Sequence, residues 1–178
     1  MVRLFVCVWL PKELIKRLLE LQNDLKKIDI KAKYVEEKNF HVTVTFLGDV
    51  EENKINEIKS NLEISLREVN GFYVNIEGLK ILPNENYIRV IGIQIKGDEI
   101  KDLIRIVGIK LGGSFHENSK ITLCRSKNIQ DRKKISKFIE DNRNVNIGSF
   151  YVNKVSLVKS VLTKQGPKYE SIYKIKLS

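Results

Sequence analysis

The chain carries one order of elements twice, and that order limits the folds open to it. Each half runs through an amphipathic helix, a short strand, a second helix and then further strands. The run FHVTVT from Phe40 in the first half corresponds to SKITLC from Ser119 in the second. Repetition of this kind reads as an internal duplication. Strands interspersed with helices in this way indicate an α+β fold: two pseudo-symmetric lobes of mainly antiparallel sheet, helices outside, and a central cleft. No low-complexity linker parts the halves, so residues 1–178 are expected to form a single bilobal domain.

The individual elements are legible from their periodicity. Residues 2–10 alternate, with Leu4, Val6, Val8 and Leu10 on one side and Arg3, Phe5, Cys7 and Trp9 on the other. Both faces are largely apolar, which predicts a central strand. Pro11 opens a helix at a position where proline is tolerated. Leu14, Leu18, Leu21, Leu25 and Ile28 then form a buried stripe. A strand at 40–47 ends at Gly48-Asp49, and a second helical stripe runs from Ile55 to Val69. Residues 72–96 read as two or three strands around a turn at Pro83 to Asn86. A third stripe, Ile100 to Leu111, stops at Gly112-Gly113. A strand at 120–125, a helix at 131–142, and strands at 147–160 and 168–177 complete the chain.

Charge bears on the partner. The sequence holds 32 Lys and Arg against 22 Asp and Glu, a formal net charge of +10. Such an excess favours a polyanion, nucleic acid first, although no tight basic cluster stands out. No stretch approaches the roughly 20 apolar residues that span a bilayer, so no membrane partner is expected. The apolar start is interrupted by Arg3 and followed by Pro11, which reads as a buried strand rather than a signal peptide. Cys7 and Cys124 sit in apolar runs with no zinc or redox spacing, consistent with free thiols in a reducing cytoplasm. His41 and His116 are far apart and have no ligand cluster, so no metal or other cofactor is expected.

The segment from Phe40 to Gly48 holds the chemistry. Strand alternation places His41, Thr43 and Thr45 on one face and Phe40, Val42, Val44 and Phe46 on the other. Imidazole exchanges protons near neutral pH. A threonine hydroxyl two residues on can donate to a phosphoryl oxygen from the same face. A half-buried polar strand face would produce the same triplet, and His-x-Thr alone does not separate the two readings.

Three matches together are more specific. HVTVTFLG resembles the first signature of the 2H phosphoesterases, His-x-Thr-x-x-Phe-Leu-Gly. RLFVCVWLP resembles that family's first strand and the proline opening its first helix. LTKQGPKYE resembles its closing hairpin. The matches run in order from residue 3 to residue 170. The chain is therefore identified as similar to the RNA 2′,3′-cyclic phosphodiesterase / 2′-5′ RNA ligase family. The resemblance implies two lobes that each give one His-x-Thr strand to a central cleft. It implies metal-free opening of a 2′,3′-cyclic phosphate at an RNA end, or of a cyclic nucleotide, to a 2′-phosphate, with 2′-5′ joining as related reverse chemistry. It also implies His41 as general acid and Thr43 and Thr122 as phosphoryl ligands; a monomer is the expected working form.

The second signature departs from the pattern. Where the family reads Pro-His-x-Thr-Leu-Ala-Arg, this chain has Ser119-Lys120-Ile121-Thr122-Leu123-Cys124-Arg125. Lys120 stands at the histidine position. It can act as a fixed charge on phosphate, or as a base if its pKa falls by about 3 units, at a cost of about 4 kcal/mol. His116, four residues upstream, is a third option. Arg125 matches the family's arginine and is a candidate for substrate binding, but strand parity puts it opposite Lys120 unless the strand bulges. Phe5, Trp9, Tyr34 and Tyr169 read as core packing rather than base stacking. The alternative to an enzyme is a catalytically impaired protein on the same fold that binds RNA or a nucleotide.

Overall fold

The computed structural model describes residues 1–178. In chain order the elements are β1 (Val2–Trp9), α1 (Lys12–Lys26), β2 (Ile30–Tyr34), β3 (His41–Val50), α2 (Ile55–Leu66), β4 (Phe72–Asn84), β5 (Tyr87–Lys96), α3 (Asp98–Leu111), β6 (Lys120–Ile129), α4 (Arg132–Asn142), β7 (Asn146–Val152), β8 (Lys154–Thr163) and β9 (Gly166–Lys176). They form two sheets, ordered β3-β1-β8-β9 and β2-β6-β5-β4-β7, with every pairing antiparallel. The expected α+β architecture of two antiparallel layers with outer helices is the one observed. No helix is long and apolar enough to cross a membrane.

Lobe and sequence half do not coincide. β2, from the first half, is an edge strand of the five-stranded sheet, while β8 and β9, from the second half, complete the four-stranded one. Helices cross over in the same way. α1 follows β1 of the four-stranded sheet yet lies against β6 and β7, and α3 follows β5 of the five-stranded sheet yet packs on β3 and α2. One core of 39 buried residues therefore runs through both layers.

β1 is central, with β3 on one side and β8 on the other. Leu4, Val6, Val8 and Leu10 enter the main core, while Phe5 and Cys7 form a smaller buried group with Val158 on the opposite face. Leu14, Leu18, Leu21 and Leu25 of α1 are all buried. Burial of each such side chain is worth about 1.5–3 kcal/mol. α3 stops where Gly112 takes a left-handed φ of 65°, a conformation that glycine adopts without a Cβ penalty. α4 is capped by Asp131, whose side chain accepts from the Lys134 amide at 3.0 Å.

One sequence expectation needs correction, and two segments gain definition. Residues 30–34, left unassigned by the sequence, form β2, which pairs only with β6; its two lysines are exposed, leaving too little apolar signal. The expected strand at 147–160 is two strands in different sheets, parted at Asn153. Residues 72–96 form two strands, within the two or three expected: β4 runs unbroken through Gly78, which takes φ 85° at a register shift against β5.

Candidate active site

β3 and β6 start side by side at the floor of a cleft of about 680 Å³. They are joined where Ser119 Oγ donates to the Thr43 carbonyl at 3.1 Å. β3 is also tied to the loop after α3: the amides of Phe46 and Ser114 each donate to the other residue's carbonyl at 2.8 Å. Both strands show the same burial over their first six residues: half-buried, buried, half-buried, buried, buried, exposed. The cause is a shared irregularity. β3 skips Val44 in its register with β1, and β6 skips Leu123 in its register with β5. An inserted residue shifts the side-chain alternation by one.

That shift decides which residues reach the cleft. His41 and Thr43 face it from β3, and Lys120 and Thr122 face it from β6. After the bulge, Phe46 and Arg125 come round to the cleft, while Thr45 and Cys124 turn inward. Two expectations change as a result. Thr45 does not share the face of His41: it is fully buried, and its hydroxyl donates to the Ser114 carbonyl at 3.2 Å. Phe46 is not a core residue but is 52% exposed in the cleft wall. The bulge that Arg125 needs is present. His116 is exposed in the loop before β6 and does not line the cleft.

His41 is held on all sides. Its Nδ1 lies 2.6 Å from the Asn39 carbonyl, and its Nε2 lies 3.1 Å from Thr43 Oγ. A carbonyl only accepts, so Nδ1 carries the proton and the neutral ring presents an unprotonated Nε2 to Thr43 and the cleft. Asn39 is itself buried, and its side chain donates to the Pro167 carbonyl at 3.1 Å, anchoring the turn to the β8–β9 hairpin. The rings of Phe5, Trp9 and Tyr169 stand 5.1, 5.7 and 5.6 Å from the imidazole. Trp9 is fixed by its indole N–H donating to Ser171 Oγ at 3.0 Å. Burial in this apolar surround pushes the His41 pKa below the ordinary imidazole value, and the Asn39 hydrogen bond opposes that only in part.

The facing wall is cationic. Burial, then Arg125, then Lys80 push the Lys120 pKa below the ordinary lysine value. Lys33, Lys120 and Arg125 all line the cleft, and none has a carboxylate within 4.0 Å, whereas Arg3 is matched by Asp49 at 3.3 Å. Unmatched cations beside two threonine hydroxyls form a site for an anion with several oxygens. Cys7 and Cys124 take no part: burial raises both thiols, Cys124 to about 12, which makes them unreactive.

Comparison with known proteins agrees with this geometry. Residues 8–92 match the family model described as LigT like Phosphoesterase. The chain is 34% identical over 174 residues, 94% of its length and 95% of the relative's, to a Methanothermobacter thermautotrophicus protein named RNA 2′,3′-cyclic phosphodiesterase. The chain belongs to the LigT-like family of 2H phosphoesterases. Among solved structures, this LigT-like chain superposes on a Thermus thermophilus protein with a TM-score of 0.84 at 24% identity, covering 98% of one chain and 97% of the other. It superposes on Escherichia coli LigT complexed with 3′-AMP with a TM-score of 0.75 at 20% identity, covering 99% and 98%. The LigT-like fold thus extends over the whole length of this phosphoesterase.

Asn39, Phe46 and Lys33 are cleft residues that sequence reasoning missed. Asn39 acts through a turn carbonyl, which no side-chain pattern reports. Phe46 depends on the bulge, and Lys33 depends on a strand that its own alternation hardly signals. Tyr34 and Tyr169, read as packing residues, also line the cleft.

Proposed function

We propose that the cleft hydrolyses 2′,3′-cyclic phosphates at RNA ends to 2′-phosphates, without a metal. His41, Thr43, Lys120 and Thr122 are the catalytic set, and Arg125 is a substrate-binding residue. The observation that carries this reading is the pair of bulged strands, which aim two proton-handling side chains and two hydroxyls at one cation-lined cleft. The name RNA 2′,3′-cyclic phosphodiesterase, borne by relatives over most of their length, supports the same chemistry. Water adds to phosphorus, the P–O3′ bond breaks, and a proton reaches O3′. Thr43 and Thr122 hold the two non-bridging oxygens as charge develops on them. The 2′-5′ joining of RNA ends runs through the same groups in reverse. On this reading residues 1–178 work as a single bilobal monomer in the cytoplasm, on RNA ends or small cyclic nucleotides.

A second reading keeps the fold and the ligand but removes fast turnover, because Lys120 stands where the family signature has a histidine. Loss of one proton-transfer group costs about 10²–10⁴-fold in rate. Incubation with a 2′,3′-cyclic nucleotide and a cyclic-phosphate RNA end tests both readings. The enzyme reading expects slow hydrolysis by wild type, loss in His41→Ala, and a gain in Lys120→His. Binding without hydrolysis in wild type, with hydrolysis appearing only in Lys120→His, would establish the second reading.

A further inference from the structure

We infer that the proton roles in this cleft are exchanged relative to the family expectation: His41 is the general base that activates water, and the Lys120 ammonium is the general acid that protonates the leaving O3′. The inference rests on the cyclic-phosphodiesterase reading and assigns the groups within it.

The His41 ring is built to receive a proton. Nδ1–H is committed to the Asn39 carbonyl at 2.6 Å, so the neutral imidazole has only its bare Nε2 left for the cleft, beside Thr43 Oγ. To serve as an acid it must first take up a second proton. Phe5, Trp9 and Tyr169 enclose it, and no carboxylate lies within 4.0 Å to stabilise an imidazolium at rest. Tyr169 from β9 packs against the imidazole, and Cys7 from β1 belongs to the apolar cluster behind Phe5, Trp9 and Tyr169; burial raises both groups, which keeps them neutral.

Lys120 has the opposite character. An ammonium has donors and no acceptor. The charged groups facing it are Arg125, on its own strand, and Lys80 of β4. Burial and these two like charges together hold its proton less firmly than on a free lysine. An acid with a loosened proton suits an alkoxide leaving group. As a base, the same lysine would first have to lose that proton to solvent.

The step balances within the site. A water oxygen bonds to phosphorus and its proton passes to His41 Nε2. The P–O3′ bond breaks and O3′ takes a proton from Lys120 Nζ, leaving a 2′-phosphate and a 3′-hydroxyl. The imidazolium then releases its proton to solvent and the lysine amine regains one.

A change of leaving group separates the two roles, because a thiolate leaves without protonation. Wild type, His41→Ala, Lys120→Met and Lys120→Gln are assayed on a nucleoside 2′,3′-cyclic phosphate and on its 3′-S-phosphorothiolate analogue, after thermal melts show that each variant is folded. The expected result is a loss of about 10²-fold or more in both Lys120 variants on the oxygen substrate, shrinking to less than about 10-fold on the sulfur substrate. His41→Ala should lose equally on both. Rescue of His41→Ala by sulfur, or an equal loss of the Lys120 variants on both substrates, overturns the exchange while leaving the phosphodiesterase reading in place. A wild type inert on both substrates overturns the reading and the exchange together.

Discussion

Ser119 Oγ donates to the Thr43 carbonyl at 3.1 Å, so the residue just before β6 is tied to the cleft-facing threonine of β3. This bond joins the two strands that line the cleft floor. Ser119→Ala is expected to cost about 0.5–1.5 kcal/mol in stability. Turnover should fall more than binding, since a misplaced pair loses rate before affinity. Urea melts and a split of kcat against KM check this. An unchanged kcat would show that the strands keep their spacing without the bond.

Thr43→Val and Thr122→Val should each lower turnover by about 10²–10³-fold, the cost of one missing donor to a developing oxyanion. The equivalence of the bulged strands predicts similar losses in both. A large loss in one variant with none in the other would mean that the second strand does not hold the phosphate.

Gly92 lies opposite Thr122 at the β6 bulge, and a Cβ there would stand 2.5 Å from the Ile121 carbonyl oxygen. Gly92→Ala must push β6 away, at about 1–3 kcal/mol. It should also lose activity, because Thr122 moves with the strand. Chemical denaturation together with a hydrolysis assay tests both effects.

The rate should depend on pH through two limbs. Turnover falls on acidification as His41 takes its second proton, with a midpoint below the ordinary imidazole value because burial disfavours the cation. It falls again on the alkaline side as Lys120 is deprotonated, below the ordinary lysine value. A profile of kcat/KM against pH measures both limbs. An acid midpoint above about 6.5 would mean that burial does not govern His41.

Lys120 is an unmatched cation held against its own kind, so its removal should stabilise the fold. Its folded pKa lies below the unfolded one, so the unfolded chain binds more protons between the two and stability rises with pH there. Below the folded pKa the penalty is fully present. Lys120→Met should therefore gain up to about 1 kcal/mol, a figure discounted for partial exposure. That corresponds to a rise of about 2–4 °C in Tm. A lower Tm would show that the aliphatic stem contributes more than the charge costs.

The alternation at residues 2–10 and the α1 leucine stripe were legible because each element buries a continuous apolar face. His41, Thr43, Lys120 and Thr122 were legible because two-residue spacing survives up to the bulge. Past Val44 and Leu123 the parity rule fails, since no residue type marks an inserted position. Thr45, Phe46 and Arg125 therefore changed places. The Asn39 carbonyl that sets the His41 tautomer is a backbone group, and a sequence of side chains says nothing of where it points. The interleaving of halves was hidden for a similar reason: which sheet receives β2 or β8 depends on partners more than a hundred residues away along the chain in β8's case.

That interleaving has a consequence for how the molecule comes into being. β1 opens the chain at Val2, yet one of its two neighbours is β8, which does not begin until Lys154. During synthesis the four-stranded layer must wait, with one edge of β1 open, until β8 has left the ribosome. Such long-range closure is slow and leaves an unpaired edge exposed to neighbouring chains. The five-stranded layer has all its strands by Val152, but the cleft needs both layers, and the four-stranded one still lacks β8 and β9 at that point. A nascent chain should pass directly from no cleft to a complete one, so a fragment ending before β8 is expected to aggregate rather than retain half the activity.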